Sequence, residues 1–145
     1  MKIGIGSDHG GFELKTQLKK YLVDKGIELK EYGTIDGESI DYPDVATDVC
    51  EKVVIGELDC AILECGTGIG ISIAANKVCG IRAAHVTDSY SARMAREHNN
   101  ANVICLGGRI TGVEIAYTII DEYLGAQFQG GRHQTRVDKI MSIEE

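Results

Sequence analysis

The chain has no tryptophan, two phenylalanines and one proline among its 145 residues, and no apolar run reaches 18 residues. Without tryptophan and with so few phenylalanines, no stacking platform for single-stranded nucleic acid is expected. Without a long apolar run, no membrane span is expected. Positive charge is also in deficit: 15 Lys and Arg stand against 22 Asp and Glu, a net charge of −7, which argues against general affinity for nucleic acid. The five cysteines are an odd number. None sits in a C-x-x-C or zinc-type spacing, so no disulfide framework is expected and a cytoplasmic location follows. His9, His85, His98 and His133 form no H-x-x-x-H pair, so neither a metal nor another cofactor is expected. No G-x-x-x-x-G-K-[ST] loop is present. Gly4-Ile5-Gly6-Ser7-Asp8-His9 lacks the third glycine of a dinucleotide fingerprint, and Ile71 replaces it after Gly66 and Gly68. Ile71 also stands where a cysteine phosphatase would need its arginine. The start Met1-Lys2-Ile3-Gly4-Ile5-Gly6 is too short and too glycine-interrupted for a secretory signal.

What is present is a composition of 43% hydrophobic and 26% charged residues, ordinary for a globular protein, in a length that suits one domain spanning residues 1–145. Strand-like and helix-like segments alternate. Lys2 to Ser7 reads as a first strand. Phe12 to Lys25 reads as a helix, because Leu14, Leu18 and Leu22 recur every four residues; Gly26 ends it. Ile27 to Tyr32 reads as a second strand, and Pro43 opens a helix over Val45 to Ile55. Ala61 to Glu64, Ile81 to Val86 and Asn102 to Leu106 read as the remaining strands. Helices are expected over Ile71 to Lys77, from an Asp88 cap through Glu97, and over Ile115 to Leu124 behind a Thr111–Glu114 capping box. Gln127 to Arg136 reads as loop and about Thr135 to Ile143 as a last helix. This succession implies a Rossmann-like α/β fold: three layers, with a five-stranded parallel sheet between helices and a ligand beyond the carboxyl ends of the strands.

Those ends carry the chemistry. Cys65 follows the apolar run Cys60-Ala61-Ile62-Leu63 and opens Cys65-Gly66-Thr67-Gly68-Ile69-Gly70. A lone cysteine in a strand is ordinarily a small core residue. Here the glycines behind it make an amide-lined turn at a helix start, an environment that lowers a thiol pKa and stabilises negative charge. Ser7-Asp8-His9-Gly10-Gly11, His85-Val86-Thr87-Asp88 and Gly107-Gly108-Arg109 end other strands and would meet Cys65 on one rim. His98 closes a helix and reads equally as a C-terminal cation or a catalytic group. Gly130-Gly131-Arg132-His133-Gln134-Thr135-Arg136 concentrates cations in an acidic chain, which suggests a small anion such as phosphate; a solvated basic turn is the other reading. Cys50, Cys60, Cys79 and Cys105 read as core or near-core positions without function.

Taken together, Ser7-Asp8-His9-Gly10-Gly11-Phe12, Asp41-Tyr42-Pro43, the run from Cys65 to Lys77, Gly80-Ile81-Arg82-Ala83-Ala84, His98-Asn99 with Asn102-Val103, and Gly130-Gly131-Arg132-His133 with Arg136 resemble ribose-5-phosphate isomerase type B. That family also includes galactose-6-phosphate isomerase subunits. The resemblance runs essentially end to end. It implies interconversion of D-ribose 5-phosphate and D-ribulose 5-phosphate in the pentose phosphate pathway, and a homodimer or dimer of dimers with sites built across the subunit interface. It implies Cys65 as the base that moves a proton between C1 and C2. Some members carry a Glu base a few residues later; here small residues around Ser72 occupy that stretch, so the cysteine branch fits. Thr67 matches a residue assisting proton transfer or ring opening, and His98, with Asp8, the group that opens the furanose ring. His9, Arg132, His133 and Arg136 match positions around the phosphate and sugar oxygens, and Arg109 joins them. Tyr42 and Asn99 match substrate contacts, and the amides of Gly66, Gly68 and Gly70 the oxyanion donors. A hexose 6-phosphate (allose or galactose) is the alternative substrate, and a non-catalytic sugar-phosphate-binding module the alternative class.

Overall fold

The computed structural model describes residues 1–144. Five parallel strands, β1 (Ile3–Ser7), β2 (Leu29–Gly33), β3 (Cys60–Cys65), β4 (Ala83–His85) and β5 (Val103–Gly107), form one sheet in the order β2-β1-β3-β5-β4. Six helices flank it: α1 (Phe12–Asp24), α2 (Tyr42–Val54), α3 (Ile69–Asn76), α4 (Ser89–Asn99), α5 (Val113–Gly125) and α6 (Arg132–Met141). The fold is thus the α/β class with a five-stranded parallel sheet that the sequence implies.

Each face of the sheet has its own core. Ile3, Ile5, Ile62, Ile104 and Leu106 pack with α1, α4 and α5 through Leu14, Leu18, Leu22, Ala92, Ala95, Ile119 and Ile120. Ala61, Leu63, Val103 and Cys105 pack on the other face with α2 and α3 through Val45, Val49, Val53, Ile71 and Ala75. The Ile-Gly alternation of β1 follows from this. A Cβ on Gly4 would come within 2.6 Å of Leu58 and one on Gly6 within 3.1 Å of Val45, so the glycines let α2 lie close while the isoleucines fill the opposite core.

The choice of face follows strand order. Connections running toward the β2 edge (through α1 and α4) use one face, and those running toward the β4 edge (through α2 and α3) use the other. A uniform crossover hand requires this. The chain therefore leaves β3 toward one face and leaves both neighbours, β1 and β5, toward the opposite face. This opens a crevice at the carboxyl end of β3, where Cys65 is the last residue.

Several expectations need correction. α6 begins at Arg132, not near Thr135, because Gly130 and Gly131 adopt φ of 66° and 56° and their carbonyls accept from His133 and Gln134. Arg132, His133 and Arg136 are helical residues rather than loop. No capping box forms at Thr111: Gly112 is the N-cap of α5, so Glu114 stands one position too early. Cys79 is exposed in the turn between α3 and β4, not near the core. β4 is shorter than expected and α3 starts earlier, at Ile69, so Gly70 is helical. The Asp88 cap is present, its carboxylate accepting from the Ser91 N–H at 2.7 Å.

Candidate active site

Three loops close around the end of β3. The Gly108 N–H donates to the Cys65 carbonyl at 2.8 Å and the Arg109 N–H to the Gly66 carbonyl at 3.0 Å, joining the β5 and β3 loops. A Cβ on Gly10 would lie 2.9 Å from the Gly66 nitrogen and one on Gly108 2.6 Å from the Gly10 carbonyl oxygen, so glycine alone permits the three backbones to meet. Within this frame Cys65 is 4% exposed, and the Gly68 N–H donates to its Sγ at 3.2 Å. Gly68 has φ of 81° and is the N-cap of α3. Thr67 Oγ1 accepts from the Ile69 N–H at 3.2 Å. The thiol and the hydroxyl thus meet the first amides of α3 at its N-terminus, an environment in which negative charge is stabilised.

The other strand ends supply side chains. Asp8 is buried and its Oδ1 accepts from the Gly11 N–H at 3.2 Å, while His9 beside it is exposed. Arg109 lies across Gly66, its Nη1 3.0 Å from where a Cβ would stand. The Tyr42 side chain covers Gly70, with its Cζ, Cε1 and hydroxyl oxygen 2.6–2.8 Å from a Cβ built there. His85 packs behind the Gly68 turn. Asp8, His9, Tyr42, Cys65, Gly66, Thr67, Gly68, Gly70 and Arg109 therefore gather at one edge of the sheet. Among the other thiols, burial pushes Cys50 up to about 12 and Cys60 up to about 11, so neither can serve as a base near neutrality.

His98, Asn99, Arg132, His133 and Arg136 do not join them. α4 starts behind the carboxyl end of β4 and returns to the amino edge. Just past it, the Asn102 N–H donates to Arg82 ahead of β4, and the Asn102 carbonyl accepts from Ala61 at the start of β3. Ala61 and Cys65 stand about 13 Å apart along β3 at the ~3.3 Å rise of a parallel strand. At the amino edge these residues form their own cluster. The rings of His98 and His133 stack at 4.1 Å with planes 9° apart, and the Gln129 N–H donates to the Glu97 carbonyl at 3.0 Å, holding the start of α6 to α4. Burial, then the His98 ring and the Arg132 and Arg136 guanidiniums, hold the His133 imidazole below its usual pKa. Arg132 and Arg136 are exposed. The arrangement leaves the Arg132 and Arg136 guanidiniums open to solvent beside the His98–His133 stack, which suits an incoming anion.

Sequence reasoning missed two buried charged residues. Lys15 is fully buried; its Nζ donates to the carbonyls of Tyr32 (3.0 Å) and Thr34 and pairs with Glu31 at 3.1 Å. It pins the chain leaving β2, which leads to Tyr42. Glu64 is also fully buried, and neither carboxyl oxygen has a hydrogen-bond partner among the described residues. Ser7, its register neighbour on β1, has an unpartnered hydroxyl as well. Burial pushes the Glu64 carboxyl well above the usual range; Lys15 opposes this and Cys65 adds to it. The available signals were a Glu within an otherwise apolar strand and a Lys on the Leu14–Leu18–Leu22 stripe.

Two predictions follow from this packing. The folded chain retains the Glu64 proton where the unfolded chain, near pKa 4.5, has lost it. Stability therefore declines as pH rises through the window above 4.5, by about 1.4 kcal/mol per pH unit from this group, until the raised folded pKa is reached. Glu64→Gln is expected to remove that slope, so its stability gain over the parent grows with pH in urea titrations between pH 4.5 and 7; a gain independent of pH would contradict the assignment. Gly68→Ala would set a Cβ 2.7 Å from the His85 ring and 2.8 Å from the Leu106 backbone at a φ that disfavours L-residues. A loss of about 2–4 kcal/mol is expected in the same measurement, with reduced activity because the amide donating to Cys65 must move.

A parallel α/β sheet with a thiol in a glycine-walled amide turn at its crevice is the scaffold of an enzyme acting on a small anionic substrate. Comparison with known proteins narrows the class. The family described as Ribose/Galactose Isomerase matches residues 3–140, and the chain belongs to that family. It is 50% identical to ribose-5-phosphate isomerase B of Escherichia coli, over 99% of this chain and 97% of that protein. It is 45% identical to a D-erythrulose-4-phosphate isomerase of Pectobacterium atrosepticum, over 97% and 93% of the two chains. Among solved structures it is similar to ribose-5-phosphate isomerase B of Clostridium thermocellum, with a TM-score of 0.97, 58% identity, and coverage of 99% and 97%.

Proposed function

We propose that this chain is an aldose–ketose isomerase that interconverts D-ribose 5-phosphate and D-ribulose 5-phosphate through an enediolate. The observation that carries the reading is the Cys65 thiol, last residue of β3, held by the Gly68 amide beside the further donors of the Gly66–Gly70 turn. In the open-chain aldose, the Cys65 thiolate takes the C2 proton. The C2–H electrons form the C1–C2 double bond, and the carbonyl electrons move to O1. The amides of the turn, with Thr67, stabilise that developing oxyanion. Return of the proton to C1, with transfer of the O2 proton to O1, gives the ketose. Full-length identity to ribose-5-phosphate isomerase B supports the choice of substrate.

The remaining roles follow the resemblance to the family. Asp8, His9, Tyr42 and Arg109 line the sugar beside Cys65. His98 opens the furanose ring with Asp8, and Asn99, Arg132, His133 and Arg136 hold sugar oxygens and phosphate. Because these last residues stand at the opposite edge of the same chain, a complete site needs a second copy to bring them to Cys65. The reading therefore includes a homodimer, or a dimer of dimers, with shared sites.

A coupled assay of the purified chain, alone and without added metal, tests it. D-ribose 5-phosphate, D-erythrulose 4-phosphate, allose 6-phosphate and galactose 6-phosphate are compared in parallel. Turnover of the pentose, lost on alkylation of Cys65, is expected. Turnover of another sugar phosphate alone would keep the mechanism and change the substrate. Binding of phosphate with no turnover of any of them would leave a sugar-phosphate-binding module.

A further inference from the structure

We propose that Arg82 is a positioning residue that fixes the last turn of α4, and through it His98, for ring opening; this rests on the role given to His98 above. Arg82 belongs to Gly80-Ile81-Arg82-Ala83-Ala84, a segment to which neither proton transfer nor phosphate binding assigns a part. It stands just before β4, at the amino edge of the sheet. Its half-buried guanidinium donates from Nε to the carbonyls of Asn99 (3.1 Å) and Asn100 (3.2 Å) and from Nη2 to Asn100 again (2.8 Å). Nη1 reaches the Met141 sulfur on α6 at 3.2 Å, and the Arg82 main-chain N–H donates to the Asn102 side chain at 2.8 Å.

These carbonyls are the ones a helix end leaves without intrahelical partners, and a cation there also meets the negative end of the helix dipole. Asn100 adopts φ of 46°, the one non-glycine residue with positive φ among the described residues. The chain thus turns sharply immediately after His98 and Asn99, and Arg82 holds the turn from the sheet side. A planar fork can serve both carbonyls at once, which a single ammonium cannot. The dependent group is close: the His98 ring stacks on His133, so rotation of the last α4 turn would separate the pair and displace the imidazole. A displacement of ~1 Å in a catalytic group lowers rates by a factor on the order of 10². Arg82 holds the end of α4 that carries His98, the ring-opening group, and its side chain bonds nothing in the Cys65 turn, so its effect falls on ring opening and not on proton transfer at carbon.

Two reactions separate those steps. Conversion of D-ribose 5-phosphate needs the furanose to open. Exchange of the C1 hydrogens of D-ribulose 5-phosphate with solvent deuterium needs only proton transfer, because its phosphorylated 5-hydroxyl cannot close a furanose. D-erythrose 4-phosphate is acyclic for the same reason and gives a second ring-free comparison. Arg82→Met is expected to lower kcat on ribose 5-phosphate by about tenfold or more while leaving the rates of both ring-free reactions, measured at saturating substrate, within about threefold of the parent. Arg82→Lys, which keeps a donor and the charge, recovers part of kcat and provides the reading if Arg82→Met does not fold. Equal loss in the ring-requiring and ring-free reactions would make Arg82 a structural residue and overturn the proposal, as would unchanged kcat in both variants. A parent chain inactive in all three reactions would instead refute the isomerase reading itself.

Discussion

Cys65→Ala is expected to lower turnover of D-ribose 5-phosphate by about 10²–10⁴-fold, the range for removing a positioned base, while binding of inorganic phosphate stays within about threefold of the parent, since the change adds no charge at the phosphate cluster. The thiol is the one cysteine side chain at the crevice, and the Gly68 amide of the turn donates to it. Cys50, Cys60 and Cys105 are buried, and burial raises their pKa values, so none can replace it. The cluster of Arg132, His133 and Arg136 at the opposite edge is untouched. Cys65→Ser is the companion variant: its hydroxyl can accept from the Gly68 N–H, so the turn keeps its shape, yet it is far less readily ionised than a thiol. Steady-state kinetics and phosphate calorimetry, with circular dichroism to establish folding, check both. Turnover near the parent value in either variant would remove Cys65 from the mechanism.

Mixing two inactive variants is expected to restore activity. Cys65→Ala damages the carboxyl-edge half of the site and His98→Asn the amino-edge half, and one chain holds these halves at opposite ends of the sheet. If a complete site takes its halves from two copies, a dimer carrying one chain of each variant has one intact site and one doubly damaged site. Unfolding and refolding an equal mixture makes about half the dimers mixed, so recovery approaches about a quarter of parental activity. Each variant refolded alone should stay at its own low rate. No recovery, with mixed dimers shown to form by native mass spectrometry, would mean that His98 acts within its own chain or not at all.

The local character of this protein was legible in the sequence because it rests on short-range physics. The Leu14–Leu18–Leu22 stripe, the apolar runs of β3 and β5, the Asp88 cap and the glycines behind Cys65 each express a rule that operates within a few residues. Other features were illegible because they depend on what packs against what. The Thr111–Glu114 pair has the spacing of a capping box, but the backbone path from β5 makes Gly112 the cap. Gln127 to Arg136 reads as loop because Gly130 and Gly131 interrupt it, yet these two glycines turn the chain into α6 at Arg132. Glu64 and Lys15 take ionisable groups into the interior against their usual preference, and only the surrounding elements reveal that they are buried.

By itself the sequence determined the alternation of strands and helices, the thiol in its amide turn, and which residue types could handle a phosphorylated sugar. These are local properties, set by side-chain chemistry and spacing. The tertiary structure alone decided the order β2-β1-β3-β5-β4, and with it the crevice at the end of β3. It also decided that His98, Asn99, Arg132, His133 and Arg136 lie at the far edge from Cys65. The reason is that a helix following a parallel strand carries the chain back along the sheet, so residues at its far end sit a full strand length from those at its start.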